Sequence, residues 1–514
     1  MSHPTPLMPD QQRQLFGHPI GLYILFLTEM WERFSFYGMK ALLIFYLVKY
    51  HLFSDEAGNI IVGSYAALVY AMPVIGGYLA DKYLGFRKAV VFGGIMLVLG
   101  HLGMAFEGNA ATETAQGIIR DDFAIQVFFL SMSFIVVGVG FLKANISSIV
   151  GELYQQGDKR RDSGFTIFYM GINLGSALAT IICSWLGETY GWSYGFGAAG
   201  IGMLLGLVTF IYGSKYFYGK AEPHDTPLLQ EKVMNVISRE WLIYLLSVLS
   251  VLVVWQIIQR HEWVEGLLMT ASAGALVFIL WFLIKSEKVV RDRLIALTIL
   301  IIFSVVFWAL FEQAYTSMNL FAERSLDRHF MGWEIPAGSF LSLNAIFIIL
   351  FAPVFAWVWV ALDKRNLNPN AAAKFGMGIL LVSLGFGVLV VGGASAVAGK
   401  VAMIWLVLAY LLHTWGELCL SPVGLSSVTK LSPASIVGFM MGVWFLATAG
   451  AEYVAALLAN LASIDTSGGK VTDVALATQS YINLFYKLFE TGGIIGVVLL
   501  LASPFIKKLM HGVE

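Results

Sequence analysis

The chain has 514 residues, 58% of them hydrophobic and 13% charged, with a net charge of −1 and a mean hydropathy of +0.76. An average soluble domain is about 25% charged, so this composition excludes a water-soluble globule and requires lipid around the chain. The short alternating segments of a strand-built barrel are absent from the sequence.

In chain order, the first nineteen residues are polar and Pro-rich without an apolar h-region, so no cleaved signal peptide is expected. Apolar runs of about 20 residues, each long enough to cross the hydrocarbon core as a helix, then recur to the end. They predict spans near 20 to 50, 60 to 80, 89 to 106, 123 to 150, 164 to 186, 194 to 217, 240 to 258, 264 to 284, 295 to 320, 339 to 361, 374 to 397, 401 to 425, 436 to 461 and 480 to 506. The fold class is therefore an all-α polytopic membrane protein with 14 transmembrane helices.

The loops orient it, because cytoplasmic loops carry the surplus of Lys and Arg. With the N-terminus inside, the inner loops hold Lys82, Arg87, Lys88, Lys159 to Arg161, four basic residues between Lys215 and Arg239, four between Lys285 and Arg293, then Lys364, Arg365, Lys374, Lys430, Lys507 and Lys508. The outer loops hold Arg120, Arg260, Arg324, Arg328, Lys400 and Lys470. Both termini are expected in the cytoplasm, in an inner or plasma membrane.

The polar stretch Gly219 to Arg239 reads as the main linker, and the pair of spans after it, nearly free of charged or Gly-rich features inside the membrane, reads as an inserted hairpin. The expected domains are an N-terminal six-helix bundle (1–218), linker and hairpin (219–290) and a C-terminal six-helix bundle (291–514). Six plus six helices is the pattern of two parallel repeats. Cys183 and Cys419 fall inside predicted helices and are expected to pack as small apolar residues.

An ionisable side chain near the bilayer centre costs at least about 2.5–3.5 kcal/mol, so such residues line a water-filled path. In the first predicted helix Glu29, Glu32, Arg33, Tyr37 and Lys40 fall within one broad face. Later helices add Lys143, Glu312, Glu417, Glu452, Lys487 and Glu490, with Tyr70, Asn173 and Asn344 as mid-helix polar neutrals. Basic groups from one half and carboxylates from the other suit a zwitterionic solute: Arg33, Lys40 and Lys143 for its carboxylate, Glu417 for its ammonium group. Trp308, Trp444, Tyr37 and Tyr70 offer aromatic surface for variable side chains. Gly195 to Gly200 has the spacing of a dinucleotide fingerprint but opens a membrane helix, where it reads as small-residue packing. No Gly-x-Ser-x-Gly elbow appears, and an enzyme is not expected.

The run Glu29-Met30-Trp31-Glu32-Arg33-Phe34-Ser35-Phe36-Tyr37-Gly38 resembles the ExxERFxYYG motif of the proton-dependent oligopeptide transporters, a branch of the major facilitator superfamily. Gly76 to Gly85, Phe168 to Gly175 and Gly416 to Gly424 resemble that family's signatures after helix two, in helix five and in helix ten, and the hairpin fits its bacterial members. The resemblance implies a major-facilitator fold and import of di- and tripeptides by alternating access, with protons as coupling ion and no other cofactor. It places the peptide carboxylate near Arg33, Lys40, Lys143 and Tyr37, and the amino group near Glu417, Asn173 and Asn344. Glu29, Glu32 and Glu312 become the proton-handling residues, Tyr70 and Trp444 pocket walls. Glu312 is expected to pair with Lys40 or Lys143 in the empty carrier.

Departures from the family pattern are Lys40 where an arginine is common, Phe36 for the motif's first tyrosine, and Gly63 where animal relatives place a histidine, which shifts proton coupling to carboxylates. A non-transporting peptide sensor, or a relative carrying nitrate, histidine or drug-like anions, remains the alternative. The expected partners are peptides, protons and membrane lipid, not nucleic acid; oligomeric state is left open.

Overall fold

The computed structural model describes residues 13–513 except 156, 224, 234 and 235; the start of the N-terminal stretch, His224 of the linker and Glu514 lie outside the described residues. Thirteen described helices are long and apolar enough to cross a membrane. The long helices are α1 (Ile20–Phe45), α2 (Asp55–Leu79), α3 (Phe86–Met104), α4 (Asp122–Glu152), α5 (Arg161–Tyr190), α6 (Trp192–Gly213), α7 (Arg239–Ile258), α8 (His261–Lys285), α9 (Lys288–Phe311), α10 (Ser342–Asp363), α11 (Ala371–Ala394), α12 (Met403–Leu431), α13 (Val437–Ala459) and α14 (Val474–Leu509). The first of these is 26 residues long and stands outside the thirteen because Glu29, Glu32, Arg33 and Lys40 break its hydropathy. It continues through a π-helical turn at Tyr46–Tyr50.

One difference from expectation concerns the span predicted near 295 to 320. Helix α9 stops at Phe311, the chain makes a 3-10 turn at Glu312–Tyr315, and a short helix resumes at Ser317–Ser325. Glu312 therefore caps a helix end instead of standing within a turn of regular helix.

The chain divides into two compact units. One holds residues up to Leu43 together with Leu68–Arg260; the other holds Ile44–Ala67 and His261 onward. In the first, α3 lies tightly along α4 because Gly93 and Gly138 face each other: a Cβ on Gly93 would stand 2.6 Å from the Gly138 carbonyl oxygen, and one on Gly138 2.8 Å from that of Gly93. Without a hydrophobic drive between helices in lipid, such backbone approach supplies the association. Gly195 serves α5 and α6 in the same way, its Cβ position lying 2.7 Å from the Cys183 carbonyl oxygen, which bears out the packing reading of that glycine run. Arg87 grips Glu222 of the linker through two nitrogens, and Lys88 pairs with Glu240 of α7 at 2.7 Å.

In the second unit, α11 packs on α12 and α14, with Gly378 and Gly416 in reciprocal contact. A buried ion pair fixes the start of α2 there: Arg324 donates to both Asp55 carboxylate oxygens at 2.6 and 2.7 Å and to the Tyr481 hydroxyl at 2.9 Å. The backbone N–H of Ile464 adds a fourth contact, to Asp55, and Asn59 donates to Asn460 at 3.1 Å. Cys183 and Cys419 are both buried and unlinked.

Candidate functional site

In the first unit the polar centre grows from one face of α1. Glu29 and Arg33 are four residues apart, one helical turn, and the Arg33 Nε lies 3.1 Å from the Glu29 carboxylate while also contacting Glu32. All three are nearly inaccessible, and so is Lys40, at 1% exposure. Burying a charge without a partner costs several kcal/mol, roughly, and the alternation of Glu29, Glu32 and Arg33 on one face meets that cost locally. Phe36 and Tyr37 place their rings 5.4 and 6.0 Å from the Arg33 guanidinium carbon. The ring at Phe36 thus retains a cation contact where the motif's hydroxyl is missing.

Lys143 of α4 sits with its Nζ 4.0 Å from the centroid of the Tyr70 ring, and it lies within electrostatic reach of Glu29, Glu32, Arg33 and Lys40. Arg33, Lys40 and Lys143 thus gather with Glu29 and Glu32 in one buried cluster. From α5, Gly175 packs so closely on α1 that its Cβ would stand 3.2 Å from the Arg33 Cβ. Asn173, two residues before it, is buried and donates to the Tyr169 carbonyl of its own helix at 3.0 Å.

The second unit adds Glu312 and Glu417. Asn344 of α10 donates its side-chain amide to Glu417 of α12 at 2.9 Å and to the Thr414 hydroxyl at 3.2 Å. Charge-assisted, the first of these is the stronger bond. Glu312, 8% exposed at the break after α9, lies within electrostatic reach of Glu417. The neighbouring Gln313 holds that break in place, donating to the Ala455 carbonyl of α13 at 2.8 Å and receiving a bond from Ser317 at 2.6 Å.

Trp308 packs edge-on against Phe311 at 5.5 Å, and Trp444 of α13 lies against Gly424 of α12. Trp444 is buried and Trp308 half-buried. Glu452 is buried too, whereas Lys487 and Glu490 are exposed on α14. Gly63 of α2 leaves no room for a larger residue: a Cβ there would collide with Ala456 and stand 3.1 Å from the Glu452 carbonyl oxygen.

Arg33, Tyr37, Lys40, Tyr70, Lys143 and Asn173 therefore fall in one unit, with Glu29 and Glu32, while Trp308, Glu312, Asn344, Glu417 and Trp444 fall in the other. Sequence reasoning missed Asp55, Arg324 and Tyr481, reading Arg324 as a loop charge. The available signal was an arginine within a few residues of a long apolar run, a position where a charge needs a partner.

Comparison with known proteins follows this geometry. The model of the POT family (PTR2) matches residues 87–474. The chain is 38% identical to the uncharacterized transporter YclF of Bacillus subtilis, over 98% of this chain and 97% of that one. It is 39% identical to the peptide transporter YePEPT of Yersinia enterocolitica, over 87% of this chain and 88% of that one. Among solved structures, a peptide transporter POT in complex with sulfate matches with a TM-score of 0.81 and 36% identity, covering 98% of this chain and 100% of that one. A POT family transporter in complex with 5-aminolevulinic acid matches with a TM-score of 0.78 and 29% identity, covering 96% and 98%.

Proposed function

The chain belongs to the POT family and has its all-helical, major-facilitator-like membrane fold, and we propose that it is a proton-coupled symporter importing di- and tripeptides by alternating access. The observation that carries this reading is a buried polar cluster in each unit: Arg33 and Lys143 with Glu29 and Glu32 in one, and the Asn344–Glu417 pair with Glu312 in the other. A peptide is a zwitterion, and a carrier that offers both buried cations and buried carboxylates suits that class.

In the proposed cycle Arg33, Lys40 and Lys143, with Tyr37, receive the peptide carboxylate. Glu417, oriented by Asn344 and joined by Asn173, receives the amino group; Tyr70, Trp308 and Trp444 bound the side-chain space. Glu29, Glu32 and Glu312 handle protons. A nearby cation stabilises a carboxylate's charged form, whereas burial opposes it. A proton on Glu312 therefore weakens its hold on Lys40 or Lys143 and releases that cation to the substrate.

Closure then moves proton and peptide together, driven by a membrane potential that contributes about 2.3 kcal/mol per charge per 100 mV. The surplus of basic residues on one set of loops, from Lys82 to Lys508, supports a topology with both termini in the cytoplasm.

The test is uptake of labelled dialanine into proteoliposomes with an inward proton gradient and a negative interior. Accumulation against the dipeptide gradient that collapses with a protonophore is the expected result. Binding in detergent without uptake would replace this reading with that of a peptide sensor.

A further inference from the structure

The last long helix, α14, packs on the rest of the second unit along one side. Ile482, Phe489, Gly492 and Gly496 belong to that side: Cβ atoms added at Gly393 and Gly387 of α11 would meet Ile482 and Phe489, and ones added at Gly492 and Gly496 would meet Ser383 and Leu380. A helix turns about 100° per residue. Gln479, Asn483, Lys487 and Glu490 therefore fall within about 80° of one another, on the opposite side. All four are exposed, and the transport reading uses none of them.

Depth makes this row costly. Ser383, at the middle of the membrane helix α11, lies against Gly492, so α14 crosses the bilayer centre near that glycine. Glu490 then stands about 3 Å from the centre along the axis and Lys487 about 7 Å. Among the described residues no ion pair or hydrogen bond engages either charged side chain; Lys487 is touched at its backbone carbonyl, which accepts from the Thr491 hydroxyl at 2.6 Å. Gln479 donates to the Asn483 side-chain oxygen at 2.9 Å and leaves the Asn483 amide hydrogens pointing to a further acceptor. Ionisable groups at such depth face protein, a water-filled path or an opposite charge. The helices on which α14 packs lie behind the row and supply no wall over it. A lipid-facing surface has another composition, as on α8, where Leu267, Met269, Leu276, Val277 and Leu280 are exposed.

We propose that this face of α14 docks a second copy of the chain, the two helices lying side by side about a two-fold axis along the membrane normal. Charge complementarity selects the occupant. The row carries one cation and one anion three residues apart, so Lys487 of each copy meets Glu490 of the other, and one sequence supplies both halves of two reciprocal ion pairs. Their offset of about 4.5 Å along the axis is within the reach of a lysine side chain. Asn483 meets its own counterpart, and amide side chains that bond across helices favour association in lipid. Beyond Glu490 the same side continues with the exposed Ile494 and Leu501, which extend the contact as apolar packing. An acyl chain offers Glu490 no cation at this depth, whereas a second copy does.

The test is association of the full-length protein in liposomes, a readout independent of transport. With Cys183 and Cys419 replaced, separate pools carrying Thr114→Cys are labelled with donor or acceptor dye, mixed, reconstituted and diluted with lipid. Energy transfer above the level of random proximity is expected. Lys487→Glu alone, or Glu490→Lys alone, places like charges together and should shift the dilution midpoint by at least about tenfold. Mixing those two variants brings two carboxylates against two cations and should restore transfer, as should Lys487→Glu with Glu490→Lys in one chain; restoration also shows that the variant chains fold. In the same Cys-replaced background, oxidation should link Asn483→Cys into a dimer and leave Leu276→Cys on α8 unlinked. Transfer at the random level for the unaltered row, transfer unchanged in either single variant, a loss that neither the mixture nor the double exchange restores, or cross-linking through α8 in preference to α14 overturns the proposal.

Discussion

The Asn344 amide holds Glu417 at 2.9 Å and spans to Thr414 at 3.2 Å, so the carboxylate is oriented before any substrate arrives. Hydrogen bonds to charged groups contribute about 1.5–3 kcal/mol, or about 10- to 100-fold in affinity. Glu417→Ala is therefore expected to weaken dipeptides with a free amino terminus by that factor while N-acetylated dipeptides change by no more than about twofold. Competition against labelled dialanine measures both, and equal losses would remove Glu417 from the amino pocket. Asn344→Ala leaves the charge and removes only its orientation, so a smaller loss, about fivefold, is expected in the same assay. The separate halves of this chemistry were legible because a charge inside an apolar run stands out by its cost. What joins side chains across helices was not: the Lys143–Tyr70 stack and the Asn344–Glu417 bond link positions 73 apart in each case.

Helix spans follow from hydropathy, and all fourteen predicted runs correspond to long helices, yet the break at Glu312–Tyr315 left no trace in the sequence. The residues there are Glu, Gln, Ala and Tyr, with neither Pro nor Gly to announce an interruption. Tertiary bonds of Gln313 to α13 and Ser317 hold the turn instead. Close helix approach is more readable, since glycine permits it, but which helices meet is not. Gly138→Val should disrupt the α3–α4 seam, where its added atoms meet the Gly93 carbonyl oxygen at 2.8 Å. Overpacking of this kind costs about 1–3 kcal/mol, and a lowered thermal midpoint in detergent is the expected outcome; an unchanged midpoint would show the seam to be pliable. The buried Asp55–Arg324 pair, 269 residues apart in sequence, makes a sharper case. Asp55→Asn strands a guanidinium at a cost of about 3–5 kcal/mol. The double variant Asp55→Asn with Arg324→Gln removes both charges and is expected to melt above the single Asp55→Asn variant. Additive losses would mean that the pair contributes no coupling.

At the scale of the whole molecule, topology and coupling set what the carrier can do. The proposed topology puts Leu367 inside and Thr114 outside, and both positions are exposed. In a background with Cys183 and Cys419 replaced, a membrane-impermeant maleimide should label Thr114→Cys but not Leu367→Cys in intact cells; the reverse pattern inverts the proposed orientation. With that orientation, a neutral zwitterionic peptide crossing with one proton carries one positive charge inward. The potential then contributes about 2.3 kcal/mol per 100 mV, which corresponds to an accumulation limit of about 50-fold per 100 mV. Peptide exchange between two equal pools moves no net charge and needs no net proton flux. Glu312→Gln keeps the size of the side chain and imitates its protonated, uncharged form but removes its titration. Proton-driven accumulation in proteoliposomes is therefore expected to fall to equilibration, while counterflow of labelled peptide continues at a comparable rate. Loss of both activities would mean that Glu312 is required for binding or for the conformational change itself. Retention of about 50-fold accumulation by the variant would move the coupling proton to Glu29 or Glu32, which share the Arg33 guanidinium in the other unit.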